Sequence, residues 1–291
     1  MTHIITLVAD RTATTLSNPV IARVRDAVRG GAPVILSPGE AADIPTAEAP
    51  DMAAVRAALE HAPIDAVAVK PRGRRKGLLI ADMDSTIVTS ETLDEMAAFA
   101  GLKAEIAAIT KRSMNGEIDF KEALRARVAM LKGLDTDALE KTWAVTRLTP
   151  GARELVATMR AHNALTALVS GGFTFFTGRV AEMLGFHVHR ANTLLQADGK
   201  LTGEVGEPIL DRDAKLAALH ELAGQRNLKL AATLAVGDGA NDLAMLEAAG
   251  IGAAFHAKPV VAAAARARID HADLRALLFV QGYGVEDIRG T

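Results

Sequence analysis

The chain reads as an α/β protein, a parallel sheet with helices on both faces and a helical insertion, preceded by a small α+β unit. Three observations carry this reading. After residue 76, short apolar runs alternate with helix-length stretches, the pattern of successive βαβ units. Clusters of Asp, Ser and Gly follow those runs, at the strand ends where open parallel sheets hold their ligands. Between the first two runs, from about Thr89 to Thr149, the sequence is almost wholly helical in character.

From the amino terminus, His3 to Val8 reads as a strand, Pro19 to Val28 as a helix and Pro33 to Leu36 as a short strand. Met52 to Glu60 follows as a helix and Ile64 to Val69 as a strand. No catalytic constellation appears in this part. Lys70-Pro71-Arg72-Gly73-Arg74-Arg75-Lys76-Gly77 is basic and carries Pro and Gly, so a domain boundary is expected there, dividing 1–76 from 77–291. Beyond it the strands of the parallel sheet are Leu78 to Ala81, Leu165 to Val169, Ala231 to Val236 and Ile251 to Ala254. Thr149-Pro150, an N-cap followed by proline at the first helical position, closes the insertion. Val188 to Val205 reads as a hairpin around Asp198-Gly199.

Composition narrows the function. With 291 residues, 49% of them apolar, the chain can bury a large core and a smaller one. A formal charge of −2 lacks the basic excess of a nucleic-acid surface, which leaves small-molecule chemistry in front. Cysteine is absent, so disulfides, thiol nucleophiles and thiolate metal sites are excluded, and any metal must take oxygen or imidazole ligands. No apolar stretch reaches about 18 residues and no signal peptide is readable, so no membrane partner is expected and the cytoplasm is the expected location.

Four constellations fall at strand or helix ends. In Asp82-Met83-Asp84-Ser85-Thr86, one carboxylate is suited to attack phosphorus and a second to protonate the leaving oxygen and then deprotonate water. Ser170-Gly171-Gly172 offers a hydroxyl and free backbone N–H groups to phosphate oxygens if it opens a helix. Lys215, at the start of a helix running to about Leu222, is a fixed ammonium for a transferring phosphoryl group. Gly237-Asp238-Gly239-Ala240-Asn241-Asp242 combines close backbone approach with the hard oxygen ligands that magnesium favours. Each also has a plain structural use as a solvated turn, a strand-to-helix connection, a surface charge or a helix cap.

In this order, the set Asp-x-Asp-x-Thr, Ser-Gly-Gly, Lys and Gly-Asp-Gly-x-Asn-Asp resembles the haloacid dehalogenase (HAD) superfamily of phosphatases over about residues 77–291. The resemblance implies a Rossmann-like core, a Mg2+ ion and an aspartyl-phosphate intermediate. It makes Asp82 nucleophile and metal ligand, and Asp84 the general acid/base that also ligates the metal through its carbonyl. Asp238 would be the remaining carboxylate ligand, with Ser170 and Lys215 on the phosphoryl oxygens and Asn241 and Asp242 supporting substrate and metal.

The insertion speaks to the substrate. A phosphorylated amino acid carries an ammonium and a carboxylate besides its phosphate, and Glu91 and Arg127 are the candidate partners, the arginine suited to grip the carboxylate by a two-pronged hydrogen bond. Met114 and Phe120 would form an apolar lid that excludes water. Singly, these residues also read as a helix-terminal acid, a surface charge and ordinary packing. The spacing from Glu91 through Met114-Asn115-Gly116 to Phe120 and Arg127 resembles the phosphoserine phosphatases within that superfamily, which implies O-phosphoserine as substrate. The first 76 residues are similar in size and pattern to the degenerate ACT-like domains of some members, which leaves a serine effector and a homodimer open. Another phosphorylated metabolite, phosphate transfer to an alcohol, and a non-catalytic amino-acid sensor are the alternative readings.

Overall fold

The computed structural model describes residues 2–290. Six strands form one all-parallel sheet: β5 (Leu78–Ala81), β6 (Leu165–Phe173), β7 (Val188–Asn192), β10 (Thr233–Gly237), β11 (Ile251–Phe255) and β12 (Ala267–Ile269), in the order β12-β11-β10-β5-β6-β7. The chain leaves β5 toward β6 and β7, then crosses back to β10, so the strand order reverses beside β5. A crevice opens at the carboxyl ends of the strands at such a reversal. Strands buried on both faces need apolar residues throughout. Leu78 to Ala81 are accordingly all buried, with Leu79 in one apolar cluster and Leu78 and Ile80 in another.

Helices cover the faces: α7 (Ala152–Ala161), α8 (Thr174–Leu184), α9 (Arg212–Gln225), α10 (Leu243–Ala248), α11 (Pro259–Ala264) and α12 (Ala276–Val280). Between β5 and β6 stands the expected helical cap of α3 (Thr92–Ala98), α4 (Lys103–Met114), α5 (Phe120–Ala129) and α6 (Asp137–Val145). It joins the core through two adjacent chain segments. Thr89 donates its N–H to Arg147 O at 3.0 Å, Thr149 to Ile87 O at 2.9 Å, and Val88 and Leu148 form an antiparallel bridge.

Residues ahead of the core run β1 (His3–Ala9), α1 (Asn18–Ala27), β2 (Val34–Ser37), β3 (Ala41–Thr46), α2 (Met52–Leu59) and β4 (Ile64–Val69). Their antiparallel sheet, in the order β2-β3-β1-β4, has the ferredoxin-like βαββαβ arrangement. One of its faces joins the large core, where Val8, Ala41 and Val67 share an apolar cluster with Phe279 and Tyr283. Among the described residues, no helix is long and apolar enough to cross a membrane.

Three local expectations are corrected. Ser170-Gly171-Gly172 does not open a helix: β6 runs on through Phe173 and α8 begins at Thr174, because the glycines lie extended against Phe120 and Asp84. Thr149-Pro150 does not cap α7. Thr149 is held in the bridge to Ile87, and Gly151, at φ 80°, makes the turn into Ala152. Of the stretch read as one hairpin, Val188–Asn192 joins the parallel sheet beside β6, and only β8 (Leu194–Ala197) and β9 (Lys200–Val205) pair around Asp198-Gly199.

Candidate active site

Asp82 is the first residue after β5. Its N–H donates to Val236 O at 3.0 Å, which fixes it against β10, and its carboxylate accepts the Met83 N–H at 2.8 Å. A tight turn over Met83–Ile87 follows, with Ser85 in the left-handed region at φ 53°. That turn separates the two aspartates. The Asp84 carboxylate accepts the Thr92 N–H at 3.0 Å, at the start of α3. Gly172 permits this approach, since a Cβ there would fall 2.5 Å from Asp84 Oδ2.

From the end of β10 come Asp238 and Asp242. Carboxylate oxygens of Asp82, Asp238 and Asp242 lie within 4.8 Å of one another, all three residues buried. Lys215, its side chain fully buried on α9, donates to Asp242 Oδ1 at 2.7 Å and lies 2.9 Å from Asp82 Oδ1. Asp242 Oδ2 accepts the Gly239 N–H at 3.1 Å. Asp238 Oδ1 accepts from Thr86 Oγ1 at 3.4 Å, while its Oδ2 is buried without a hydrogen-bond partner. Lys258 Nζ, 3.4 Å from that oxygen, is the nearby cation. An all-oxygen donor set with one buried, unsatisfied carboxylate oxygen fits a hard divalent cation such as Mg2+.

Burial and charge crowding shift the proton affinities of these groups. Burial first, and then the neighbouring charges of Glu91 and Asp82, hold Asp84 well above the usual carboxylate range. Asp238 is raised for the same reason, with Glu91 and Asp242 as its neighbours. Burial and the Asp82 charge push Asp242 up to about 7, against the pull of Lys215. Burial alone would lower Lys215, yet Asp242 and Asp82 keep it above its ordinary value.

The cap closes the other side. Glu91, immediately before α3, accepts from Ser85 Oγ at 2.7 Å. Arg127 on α5 is buried, donating from Nη1 to Thr110 Oγ1 at 2.9 Å and from Nε to Ala123 O at 3.1 Å. Thr110 in turn donates to Asp94 at 2.6 Å. Phe120 lies over Gly171, where a Cβ would come 2.6 Å from its ring. A single cavity is walled by Asp82, Asp84, Asp238, Ser170 and Asn241 from the core and by Glu91, Met114, Phe120 and Arg127 from the cap side.

Comparison with known proteins agrees with this geometry. Residues 79–247 match the family model described as haloacid dehalogenase-like hydrolase. A phosphoserine phosphatase of Streptococcus thermophilus is 46% identical over 68% of this chain and 93% of its own length. This chain belongs to the phosphoserine phosphatase family of HAD-like hydrolases. A Streptomyces coelicolor phosphoserine phosphatase is 42% identical over 82% of this chain, which spans only 58% of that longer relative. Among solved structures, one described as a phospho-aspartyl intermediate analogue of phosphoserine phosphatase is 40% identical, covers 70% of this chain and 98% of its own, and superposes with a TM-score of 0.68.

For this family member, the structure brings Asp82, Asp84, Glu91, Met114, Phe120, Arg127, Ser170, Gly171, Asp238 and Asn241 onto the cavity wall, while Lys215 and Asp242 do not line it. Lys215 sits behind it, clamped between two carboxylates, so its contacts are with Asp82 and Asp242. Asp242 stands with the two expected carboxylate ligands Asp82 and Asp238, and the Asp84 carboxylate, expected to serve as acid/base with only its carbonyl on the metal, points toward α3. Sequence reasoning missed Ser85, Asp94, Thr110 and Lys258. The first three lie on different elements from the residues they hold, and no spacing links them. Lys258 was findable, since it follows β11 at the same edge of the sheet as Asp82 and Asp238.

Proposed function

We propose that this chain hydrolyses O-phosphoserine to serine and inorganic phosphate, the step that releases serine in its biosynthesis. The carrying observation is that one cavity sets Asp82, Asp84 and Ser170 opposite Glu91 and Arg127. A phosphate, an ammonium and a carboxylate on one small molecule each find a complementary group there.

The Asp82 carboxylate attacks phosphorus in line and forms an acyl-phosphate as the bond to the serine oxygen breaks. Asp84 gives its proton to that oxygen; its raised pKa favours the protonated form the step requires. The resulting Asp84 carboxylate takes a proton from water, which attacks the aspartyl-phosphate, releases phosphate and restores Asp82. Lys215 holds Asp82 in place and offsets its charge. Asp82, Asp238 and Asp242 would hold Mg2+, which supplies charge neutralisation between carboxylate and phosphoryl oxygens. The solved phospho-aspartyl analogue of a relative supports the covalent route.

Phosphate release from a panel of phosphorylated metabolites, with magnesium and after chelation, tests the reading. The expected result is magnesium-dependent kcat/KM at least about tenfold higher for O-phosphoserine than for any other ester, roughly 1.4 kcal/mol of discrimination. A higher value on another ester removes the substrate assignment but keeps the chemistry. Near-normal turnover by Asp82→Asn, with deamidation excluded by mass spectrometry, removes the nucleophile.

A further inference from the structure

The basic linker noted in the sequence is only partly accounted for by structural contacts. Arg74 is spent on Asp43, Thr6 and the carbonyls of Phe279 and Val280, and Arg75 on Asp287 and the Tyr283 ring. Lys70 and Arg72 make no ion pair or side-chain hydrogen bond among the described residues. Both face a cleft between the β4 end of the N-terminal sheet and the loops entering β11 and β12. His3, Lys76 and Arg266 also line it, and no Asp or Glu does.

Lys76 is the informative member. It is 92% buried, and its ammonium donates to Gly73 O and Ala231 O, each at 2.7 Å. Two carbonyls satisfy two of its three N–H groups but none of its charge. Burial lowers its pKa, and no carboxylate pairs with it among the described residues. A buried cation without a counter-charge is costly, and here it borders a cleft whose other charged walls are also positive. The chain as a whole carries −2, so this polarity is local and not a spill-over of net charge.

The cleft lies at the amino ends of β10 and β11, across the sheet from the catalytic carboxylates, which sit at the carboxyl ends. We propose that it is a second ligand site, taking a small polyanion: a metabolite with two or more phosphate or carboxylate groups. Such a ligand contacts His3, Lys70 and Arg72 on one side and Lys76 and Arg266 on the other, and so ties the N-terminal unit to the core.

The test uses the full-length protein in EDTA at fixed ionic strength, titrated by calorimetry with sodium pyrophosphate and, separately, with citrate. Wild type is expected to bind pyrophosphate and gain several degrees in Tm, and Lys70→Ala/Arg72→Ala to bind it at least about tenfold more weakly. Both substitutions are at exposed residues outside the catalytic cavity, so basal turnover of the double variant should match wild type. Lys76→Met should abolish binding. Citrate binding to wild type, lost in the double variant, extends the site to polycarboxylates; binding of pyrophosphate alone restricts it to phosphates. No binding of either anion by wild type, or equal binding by wild type and the double variant, overturns the proposal. Because the readout needs no turnover, it stands or falls separately from the phosphatase reading.

Discussion

Arg127 is already oriented at the cavity wall. Nε and one N–H of Nη1 are taken by Ala123 O and Thr110, which leaves the rest of the guanidinium to face the cavity. Arg127→Ala should therefore raise KM for O-phosphoserine by at least about tenfold while changing KM for a carboxylate-free phosphate ester little; equal changes would remove Arg127 from recognition. Thr110→Val should reproduce a fraction of this, with KM up about threefold and kcat nearly unchanged, because it removes the orienting bond and spares the charge. Lys215→Met leaves Asp82 and Asp242 facing each other without their shared cation. The expected cost is about 3–5 kcal/mol in urea unfolding, partly recovered by adding Asp242→Asn. His187 gives a pH effect outside the site. Its Nδ1 accepts the Thr166 N–H at 3.1 Å, and burial with the charges of Arg160 and Arg226 lowers its pKa below 6.5. The unfolded chain then binds more protons between the two values, so stability falls as pH drops through and below about 6.5. His187→Asn should flatten that slope in urea midpoints compared across pH 7.5 and 5. Asp82, Ser170 and Asp238 were legible because strand ends concentrate chemistry. The clamp on Lys215 was not, because its partners lie after β5 and after β10 while it rides on α9.

At the level of elements, β5 was read at its true bounds because four apolar residues are framed by Gly77 and Asp82, with a break on each side. By contrast β3 escaped notice. Its sequence Ala-Ala-Asp-Ile-Pro-Thr has neither alternation nor β-branched density, and it exists because β1, some forty positions away in sequence, pairs with it from Val8↔Ala41 to His3↔Thr46. Asp43 in that strand is buried because Arg74 meets it, a tertiary fact with no local signature. The extension of β6 through its two glycines has a measurable consequence. A methyl group at Gly172 collides with Asp84, so Gly172→Ala should lower kcat by about a hundredfold with a smaller effect on KM, the cost of displacing a proton donor by about 1 Å. Unchanged kcat would mean that Asp84 moves freely and is not held for proton transfer by this packing.

On the scale of the whole molecule, the N-terminal unit is bolted to the core by buried charge. Besides Arg74 and Asp43, Arg275 donates to Glu40 at 2.9 Å, and the Asp65 carboxylate accepts backbone N–H groups from Asp270, His271 and Ala272 at 2.8–3.1 Å. Arg74→Met should lower stability by about 3–5 kcal/mol by stranding Asp43, and should do so within a single unfolding transition. Two separated transitions would show that the units melt independently. The cap is attached differently, by the narrow ribbon of Thr89, Arg147, Thr149 and Ile87 at one place and, at another, by the β8–β9 hairpin, where Gly133 and Thr136 donate to Leu201 O and Gly199 O, with Lys121 paired to Asp211 beside it. Glu91 lies two residues beyond that ribbon and Arg127 far out on the cap, while Asp82 stays with the sheet. Lifting the cap would part both attachments, draw Glu91 and Arg127 away from Asp82 and pull on Asp84 through its Thr92 bond, so the proposed amino-acid pocket and the proposed proton donor would be displaced together. On the proposed function, selection of the substrate and exclusion of water would then be one event, and a phosphate ester that left the cap displaced would forfeit rate as well as affinity.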